Sequence, residues 1–274
     1  MKKVRLDLLL FERGLVESRS KAQAVIMAGQ VRVDGQMVIK PATAVLQDVP
    51  LVLDSGPRFV SRGGEKLEEA LNIFPIKVDS RVCVDIGCST GGFTDCLLQH
   101  GALRVYAIDV GKGILHWKLR TDPRVVVLEE TNARYVEKLP EPVGLVTIDA
   151  SFISLKILLP VVKKWFLLPR TSYRLDKKGG GEEGEIIALI KPQFEAGRKE
   201  TAKGEGVIRD PAVHRAVLMD VLTFMQGEGF SLNGLIKSPL MGPKGNIEFL
   251  GWLGLNGQKL DNVAKLVDRL VLAG

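Results

Sequence analysis

Nowhere in the 274 residues is there an uninterrupted apolar run of the ~18 residues that a membrane-crossing helix needs. The nearest approach, Ile153 to Pro169, is broken by Lys156, Lys163 and Lys164. Cysteine is scarce. Cys83, Cys88 and Cys96 stand five and eight residues apart, a spacing that matches no zinc site, and an odd number closes no disulfide framework. They read as reduced thiols in or near a core, and no metal is expected. The three histidines are equally uninformative: His100 near a helix end, His116 in a Leu-His-Trp stretch and His214 on an amphipathic helix each read as surface or core residues. An acidic excess is also missing. Thirty-eight Lys and Arg face 32 Asp and Glu for a net charge of +6, which suits a polyanionic partner. Met1-Lys2-Lys3 and Leu8 to Phe11 imitate a secretory leader. Asp7 interrupts that run, Glu12 and Arg13 end it, and no small-residue cleavage site follows, so the expected location is the cytoplasm.

What is present is ordinary globular composition, 46% hydrophobic and 26% charged, without internal repeats. The length fits one large domain or two unequal ones. Residues 1 to 60 read as a small unit. Leu6, Leu9 and Leu10 share a helical face that Gly14 ends. Ser18 or Ser20 caps a second helix through Ala22, Val25, Ile26 and Met27, which Gly29 stops. Val31 to Val38 alternates on both sides of Asp34-Gly35, the pattern of a β-hairpin. The first 63 residues hold ten Lys and Arg against six Asp and Glu. Most of the chain's positive excess therefore sits here, and Arg5, Arg13, Arg19, Lys21 and Arg32 are the candidates for a face that meets a polyanion.

Residues 61 to 80 read as a linker and first helix (Glu65 to Leu71) of a larger domain, 61 to 274. From Val82 the rhythm changes. Val82–Ile86, Val105–Asp109, Val125–Leu128, Leu145–Asp149 and Ile186–Ile190 are short apolar runs separated by roughly 20 to 40 residues that are helical in part. That alternation predicts a parallel sheet covered on both faces. Arg170 to Glu185, with Lys177-Lys178-Gly179-Gly180-Gly181, reads as a surface loop inserted between two strands.

Asp85-Ile86-Gly87-Cys88-Ser89-Thr90-Gly91-Gly92-Phe93 is a glycine-rich turn from strand to helix. It lacks the G-x-G-x-x-G spacing of dinucleotide sites, and the acid that opens it repels phosphate. An acid there suits a ligand amino group. Asp109, 24 residues on at the end of the next strand, is placed to accept hydrogen bonds from ribose hydroxyls. A ligand with an amino-acid end and an adenosine end fits both, and S-adenosyl-L-methionine is one. Gly87, Cys88, Ser89, Gly91, Gly92 and Phe93 are its candidate contacts. Cys88 has no base beside it in sequence and is given no catalytic role.

Four further stretches carry charge at strand ends: Ser61-Arg62-Gly63-Gly64-Glu65-Lys66-Leu67, Ile148-Asp149-Ala150-Ser151-Phe152, Ile190-Lys191-Pro192-Gln193-Phe194-Glu195, and Asn246-Ile247-Glu248-Phe249, whose acid reads as lying inside a late strand. Strand ends of one parallel sheet converge on one crevice. Lys66, Asp149, Lys191 and Glu248 are thus expected together. The Asn/Asp-Pro-Pro-aromatic stretch of many amine methyltransferases is replaced by Asp-Ala-Ser-Phe, and the Pro-Cys nucleophile of cytosine C5 enzymes is absent. A Lys–Asp–Lys–Glu set suits removal of a proton from a sugar hydroxyl. A lysine beside a second cation has a lowered pKa and can take that proton, and Lys191 beside Lys66 is the expected pair.

Arg5-Leu6-Asp7, Gly14-Leu15-Val16, Ser18-Arg19, Ala22, Ile26, Gly29, Val31, Val33, Gly35 and Lys40-Pro41 resemble the S4-type RNA-binding domain. Residues 60 to 270 resemble the FtsJ-like methyltransferases, and the two in this order resemble the TlyA/hemolysin A family. The resemblance implies an α/β fold, a Rossmann-like methyltransferase domain with a seven-stranded, mostly parallel sheet behind a small α+β S4-like domain. It implies ribosomal RNA 2′-O-methylation, usually at a cytidine, with ribosomal RNA or ribosomal subunits as partner. By position the family's catalytic tetrad falls on Lys66, Asp149, Lys191 and Glu248, and its cofactor loop on Asp85 to Gly92, with Asp109 at the ribose. Asn132 falls where related enzymes often have an acid near the adenine, and Arg62 joins the RNA-facing basic residues. Two other readings stay open at this stage: an RNA-binding protein with an inactive methyltransferase-like domain, and a hemolysin, which would need an amphipathic or apolar membrane segment that the sequence does not convincingly offer.

Overall fold

The computed structural model describes residues 3–54, 56–166, 184–197, 205–255 and 262–272. Most of the segment read as an insertion, 170 to 183, lies outside the described residues. The chain divides into two units, Met1–Arg58 and Phe59–Gly274.

In the first unit, β1 (Lys3–Arg5) leads into α1 (Leu6–Glu12), and α2 (Arg19–Met27) follows. Ser18 accepts the N–H of Lys21 and so caps α2, satisfying one of the donors a helix start leaves open. β2 (Val31–Val33) and β3 (Gln36–Met37) form the expected hairpin, turning at Asp34 and Gly35 with φ of 50° and 77°. β4 (Ala44–Leu46) pairs with β1, and β5 (Leu51–Leu53) with β2. The core is Leu6, Leu9, Leu10, Ala22, Val25, Ile26 and Val31. Met27, at the end of α2, is 63% exposed.

Asp7 lies in that core with no exposed surface. Its carboxylate accepts from Arg5 at 2.9 Å, Gln23 at 3.0 Å and Arg19 at 3.2 Å. Those bonds, Arg5 first, hold the carboxyl well below the usual range. One acid therefore ties the start of α1 to α2.

The second unit is a seven-stranded sheet in the order β11-β12-β10-β9-β6-β7-β8. Here β6 is Val82–Ile86, β7 Arg104–Ile108, β8 Val125–Leu128, β9 Leu145–Ile148, β10 Glu185–Ile190, β11 Ser231–Lys237 and β12 Phe249–Gly254. β6 to β10 run parallel, and β12 runs antiparallel between β10 and β11. Alternate residues of each strand feed separate cores. Val84, Ile86, Val146, Ile148, Ile186 and Ile190 pack on one face, Cys83, Val105, Ala107, Ile187 and Leu189 on the other. Burial on both faces is why these strands read as continuous apolar runs.

α3 (Gly63–Ile73) begins two residues before the expected Glu65, and α4 (Gly92–Gln99) follows the glycine-rich turn. The two helix starts meet closely: a Cβ on Gly92 would lie 2.7 Å from the backbone nitrogen of Gly64. Glu248 is not inside a strand, as the sequence pattern had it, but directly precedes β12. The ladder starts at Phe249 because its partner, Ile190, is the last residue of β10 before Lys191-Pro192, and proline has no N–H to continue the pairing. Among the described residues no helix is long and apolar enough to cross a membrane.

Replacing Asp7 by Ala leaves Arg5, Arg19 and Gln23 without their shared acceptor. The two arginines are 44% and 49% exposed and return to water, so the loss is that of hydrogen bonds to a charged group, about 1.5–3 kcal/mol, a large share of the stability of a unit this small. Hydrogen exchange should show loss of protection in α1 and α2 with the central sheet of the second unit still protected. Unchanged protection of both helices would refute this.

Candidate functional site

The carboxyl ends of β6, β9 and β10, together with the segment before β12, bring the four expected charges together. Lys191 leaves the end of β10 and places Nζ 2.6 Å from Asp149 Oδ1. It also donates to Ser151 Oγ at 3.0 Å and to the Asp149 carbonyl at 3.3 Å. Lys66, on the first turns of α3, places Nζ 2.6 Å from Glu248 Oε2. Glu248 is buried, and the Lys66 and Lys191 side chains are only 11% and 9% exposed. Burial raises the Asp149 pKa, opposed chiefly by the Lys191 cation and then by Lys66, with Glu248 adding to the rise. The two ion pairs thus act on one another. Lys66 was expected in one cluster with Lys191, Asp149 and Glu248; within that cluster its ammonium is bonded to Glu248.

Lys66 and Asp149 both line an open cavity of about 710 Å³, within the range that small-molecule sites occupy. Its wall continues through Gly87, Cys88, Ser89, Thr90, Gly92 and Phe93, with Ser61 and Arg62 on one side and residues 240–245 on another. Gly87 has φ of 78°, and a Cβ there would lie 2.8 Å from the Asp149 carbonyl oxygen. Only glycine lets the turn after β6 sit this close to the end of β9.

The remaining cofactor candidates differ in placement. Asp109 accepts the N–H of Ser89 and that of Gly111, each at 2.8 Å, bracing the glycine-rich turn from the next strand. Asp85, expected to face a ligand, has no exposed surface and does not line the cavity. Its oxygens accept from Thr94 Oγ1 at 2.6 Å and Thr147 Oγ1 at 3.2 Å. Burial pushes its pKa up to about 7. Asn132 caps the short turn Ala133–Tyr135 by accepting from the Arg134 N–H. Nearby, the Glu129 carboxylate takes the N–H groups of Gly113 and Ile114 and pairs with Arg120. Burial, reinforced by Asp85 and Asp109, drives the Cys88 thiol upward, so it stays protonated.

Of the basic residues expected to meet RNA, Arg5 and Arg19 hold Asp7, Arg32 pairs with Asp54 at 2.9 Å, and Arg13 donates to the carbonyls of Gln47 and Val49. Lys21 is exposed, and Arg62 reaches the cavity.

Sequence reasoning missed several participants. Thr94 and Thr147 satisfy Asp85, and Ser151 orients Lys191. Gln193 donates to Glu248 at 3.0 Å. Residues 240–245 line the cavity, and their Gly-Pro-Lys-Gly run just ahead of Asn246 was a legible turn signal. Phe152 has φ of 63°, is 90% exposed and stacks on Phe194 with centroids 4.9 Å apart; Lys191 Nζ lies 5.7 Å from the Phe194 ring. Among the described residues no group of three His, Cys, Asp or Glu could hold a metal ion.

Comparison with known proteins agrees with this architecture. The model of FtsJ-like methyltransferases matches residues 59–255, and that of the S4 domain residues 4–48. A Bacillus subtilis protein, YqxC, is 47% identical over 268 residues, covering 94% of this chain and 90% of its own. The 16S/23S rRNA (cytidine-2′-O)-methyltransferase TlyA of Mycobacterium tuberculosis is 44% identical over 258 residues, covering 92% and 90%. A solved hemolysin-like chain from Streptococcus thermophilus superposes with a TM-score of 0.70 at 40% identity, covering 100% of this chain and 96% of that one.

The raised pKa of Asp85 makes a pH prediction. An ordinary Asp titrates near 3.9, so the folded state binds this proton more tightly than the unfolded one. The folded state is therefore favoured most below about pH 4 and loses that advantage as pH rises toward 7. Asp85→Asn should remove this slope and gain roughly 2–4 kcal/mol at pH 8. Denaturant unfolding of both proteins from pH 4 to 8 measures it. Parallel curves would show that Asp85 is not the buried proton site.

Proposed function

Because the chain belongs to the FtsJ-like methyltransferases and carries an S4 domain ahead of that domain, we propose that it methylates the ribose 2′-hydroxyl of a cytidine in ribosomal RNA, using S-adenosylmethionine. The observation that carries this reading is the Lys191–Asp149 pair, of which Asp149 lines a cavity walled by the glycine-rich turn and Lys191 stands directly behind it. The Mycobacterium tuberculosis relative is an rRNA cytidine-2′-O-methyltransferase, which supports the substrate class.

The residues present fit the cofactor. The cavity is large enough, and the turn from Gly87 to Gly92 presents backbone and small side chains, with the Phe93 ring beside it. Gly87, Cys88, Ser89, Gly91, Gly92 and Phe93 would hold it, with Asp109 toward a ribose and Asn132 farther along. Asp85 contributes from beneath, through Thr94 on α4. When bound, S-adenosylmethionine supplies an electrophilic methyl group on a sulfonium, so the transfer needs no further electrophile.

A ribose hydroxyl is a weak nucleophile until its proton is taken. Lys191 Nζ, in its neutral form, accepts that proton. Asp149, 2.6 Å away, receives the resulting ammonium as an ion pair, which favours the transfer. Ser151 and the Asp149 carbonyl fix the direction of Nζ. Lys66, held by Glu248, supplies positive charge at the cavity wall for the ribose–phosphate chain. Phe152 and Phe194, beside Lys191, offer an aromatic face suited to an unstacked base.

Residues 1–60 serve as the RNA-holding module and 61–274 as the catalytic domain. Arg5, Arg13, Arg19, Lys21 and Arg32 make the first positive toward phosphate even where they also pair internally, and Arg62 adds positive charge at the cavity of the second.

Methylation mapping of ribosomal RNA incubated with the protein and S-adenosylmethionine tests the reading; a new 2′-O-methylcytidine is expected. Lys191→Ala should abolish transfer with cofactor binding retained. Lys191→Arg should fail too, since guanidinium does not give up its proton. Near-normal turnover in Lys191→Arg would refute the base role.

A further inference from the structure

Gln193 stands two residues after Lys191, on the first turn of α7 (Pro192–Glu195), and takes no part in the chemistry above. Its Nε2 donates to Glu248 Oε1 at 3.0 Å, while the other Glu248 oxygen holds Lys66 Nζ at 2.6 Å. The residue is 8% exposed. Its Oε1 is nevertheless the one buried side-chain oxygen or nitrogen, among the described residues, that lacks a hydrogen-bond partner.

A buried amide ordinarily turns to satisfy both ends. This one is prevented from doing so. Turned over, it would set its oxygen against a carboxylate oxygen and strand two N–H donors. The Glu248 carboxylate therefore fixes the amide's orientation, and the fold tolerates an orphaned acceptor to keep that donor in place. Packing gives no reason for this, because a methionine of similar size would fill the space without an unsatisfied group. The same carboxylate oxygen is hemmed in from a second direction, since a Cβ on Gly242 would overlap Glu248 Oε1.

We propose that Gln193 is a positioning residue: its amide pins one oxygen of Glu248 so that the other sets where the Lys66 ammonium stands at the cavity wall. The inference rests on the methyl-transfer reading. Three elements distant in sequence meet in this relay: α3 brings the cation, the segment before β12 the carboxylate, and α7 the amide. A carboxylate held at one oxygen only can turn about its last torsion, which is broad, and Lys66 would then follow it.

The test uses the full-length protein, ribosomal RNA and labelled S-adenosylmethionine. Gln193→Met keeps the volume and removes both the donor and the orphan. Its melting temperature should equal or exceed the native one, while kcat falls about tenfold or more, as expected for a misplaced reacting assembly, with KM for S-adenosylmethionine essentially unchanged. Gln193→Glu supplies a second readout. At low pH its proton lies between two carboxylates and it donates as the amide does. As pH rises the two repel, so its activity relative to native should decline with pH. Native kcat in Gln193→Met, a loss that merely tracks lower melting temperature, or a pH-independent ratio for Gln193→Glu would each overturn the positioning role. A native protein that transfers no methyl group would instead overturn the reading beneath it.

Discussion

Four ionisable side chains stand at the carboxyl end of one sheet, where water is largely excluded, and charge survives there only in pairs. Each pair is made between elements that meet only in the folded sheet: Lys66 with Glu248 across 182 residues, Lys191 with Asp149 across 42. Such pairs contribute little net stability, because desolvation offsets most of their attraction. Their effect is geometric. Losing any one member strands its partner, so the cavity exists in one arrangement or not at all. The sheet supplies the stability that this requires, with apolar residues on both faces and none of its strand interiors given over to the chemistry except Asp85 and Thr147.

Those two interior polar residues explain much of what could be read from sequence and what could not. The parallel strands were legible because burial on both faces demands unbroken apolar runs. The tetrad was legible because strand ends of a parallel sheet must converge, whatever the loop lengths. The glycine-rich turn showed itself through residues whose φ or close approach admits no side chain, such as Gly87. Asp85 misled because its position at the strand end said nothing about which way its side chain points. The pleat turns it onto the face shared with α4, where Thr94 meets it. The hydrogen bond from Lys66 to Glu248 in particular was not legible in itself. Sequence gives the set of charges, and the packing of α3 against the last strands decides the partners. Gln193 carried no signal at all, since one amide after a proline is indistinguishable from a surface residue until its neighbours are known.

The first unit shows how a small module spends its charge. A core of nine buried apolar residues leaves little margin, and Asp7 adds hydrogen bonds from both helices to make up for it. Arg5 and Arg19 have side chains 44% and 49% exposed while bonded to that acid. An arginine can do both, because its planar fork has donors left after one carboxylate is met. Structural and RNA-facing roles therefore need not compete for the same residue, though each internal pair lowers the field that a phosphate would feel.

Several unfavourable features in the second unit gather at one end. Ser89, Glu130, Phe152 and Lys244 have positive φ without being glycine and stand in loops at the carboxyl ends of strands or on the cavity wall, while Ser80, just before β6, and Glu205 and Asn262 share that conformation elsewhere. The raised Asp85 and Asp149 and the orphaned Gln193 oxygen are at the carboxyl end too. At the opposite end the comparable buried charge is well satisfied: Arg81 pairs with Glu185 at 2.5 Å, and Trp252 donates to the other Glu185 oxygen at 2.8 Å. A ligand can approach only one end of such a sheet, where the loops that carry chemistry must take conformations the backbone disfavours. The end without a ligand is free to settle every hydrogen bond. The raised Asp85 and Asp149 and the unmet Gln193 oxygen, set against the well-satisfied Arg81–Glu185 end, are thus a second pointer to the site, independent of motif.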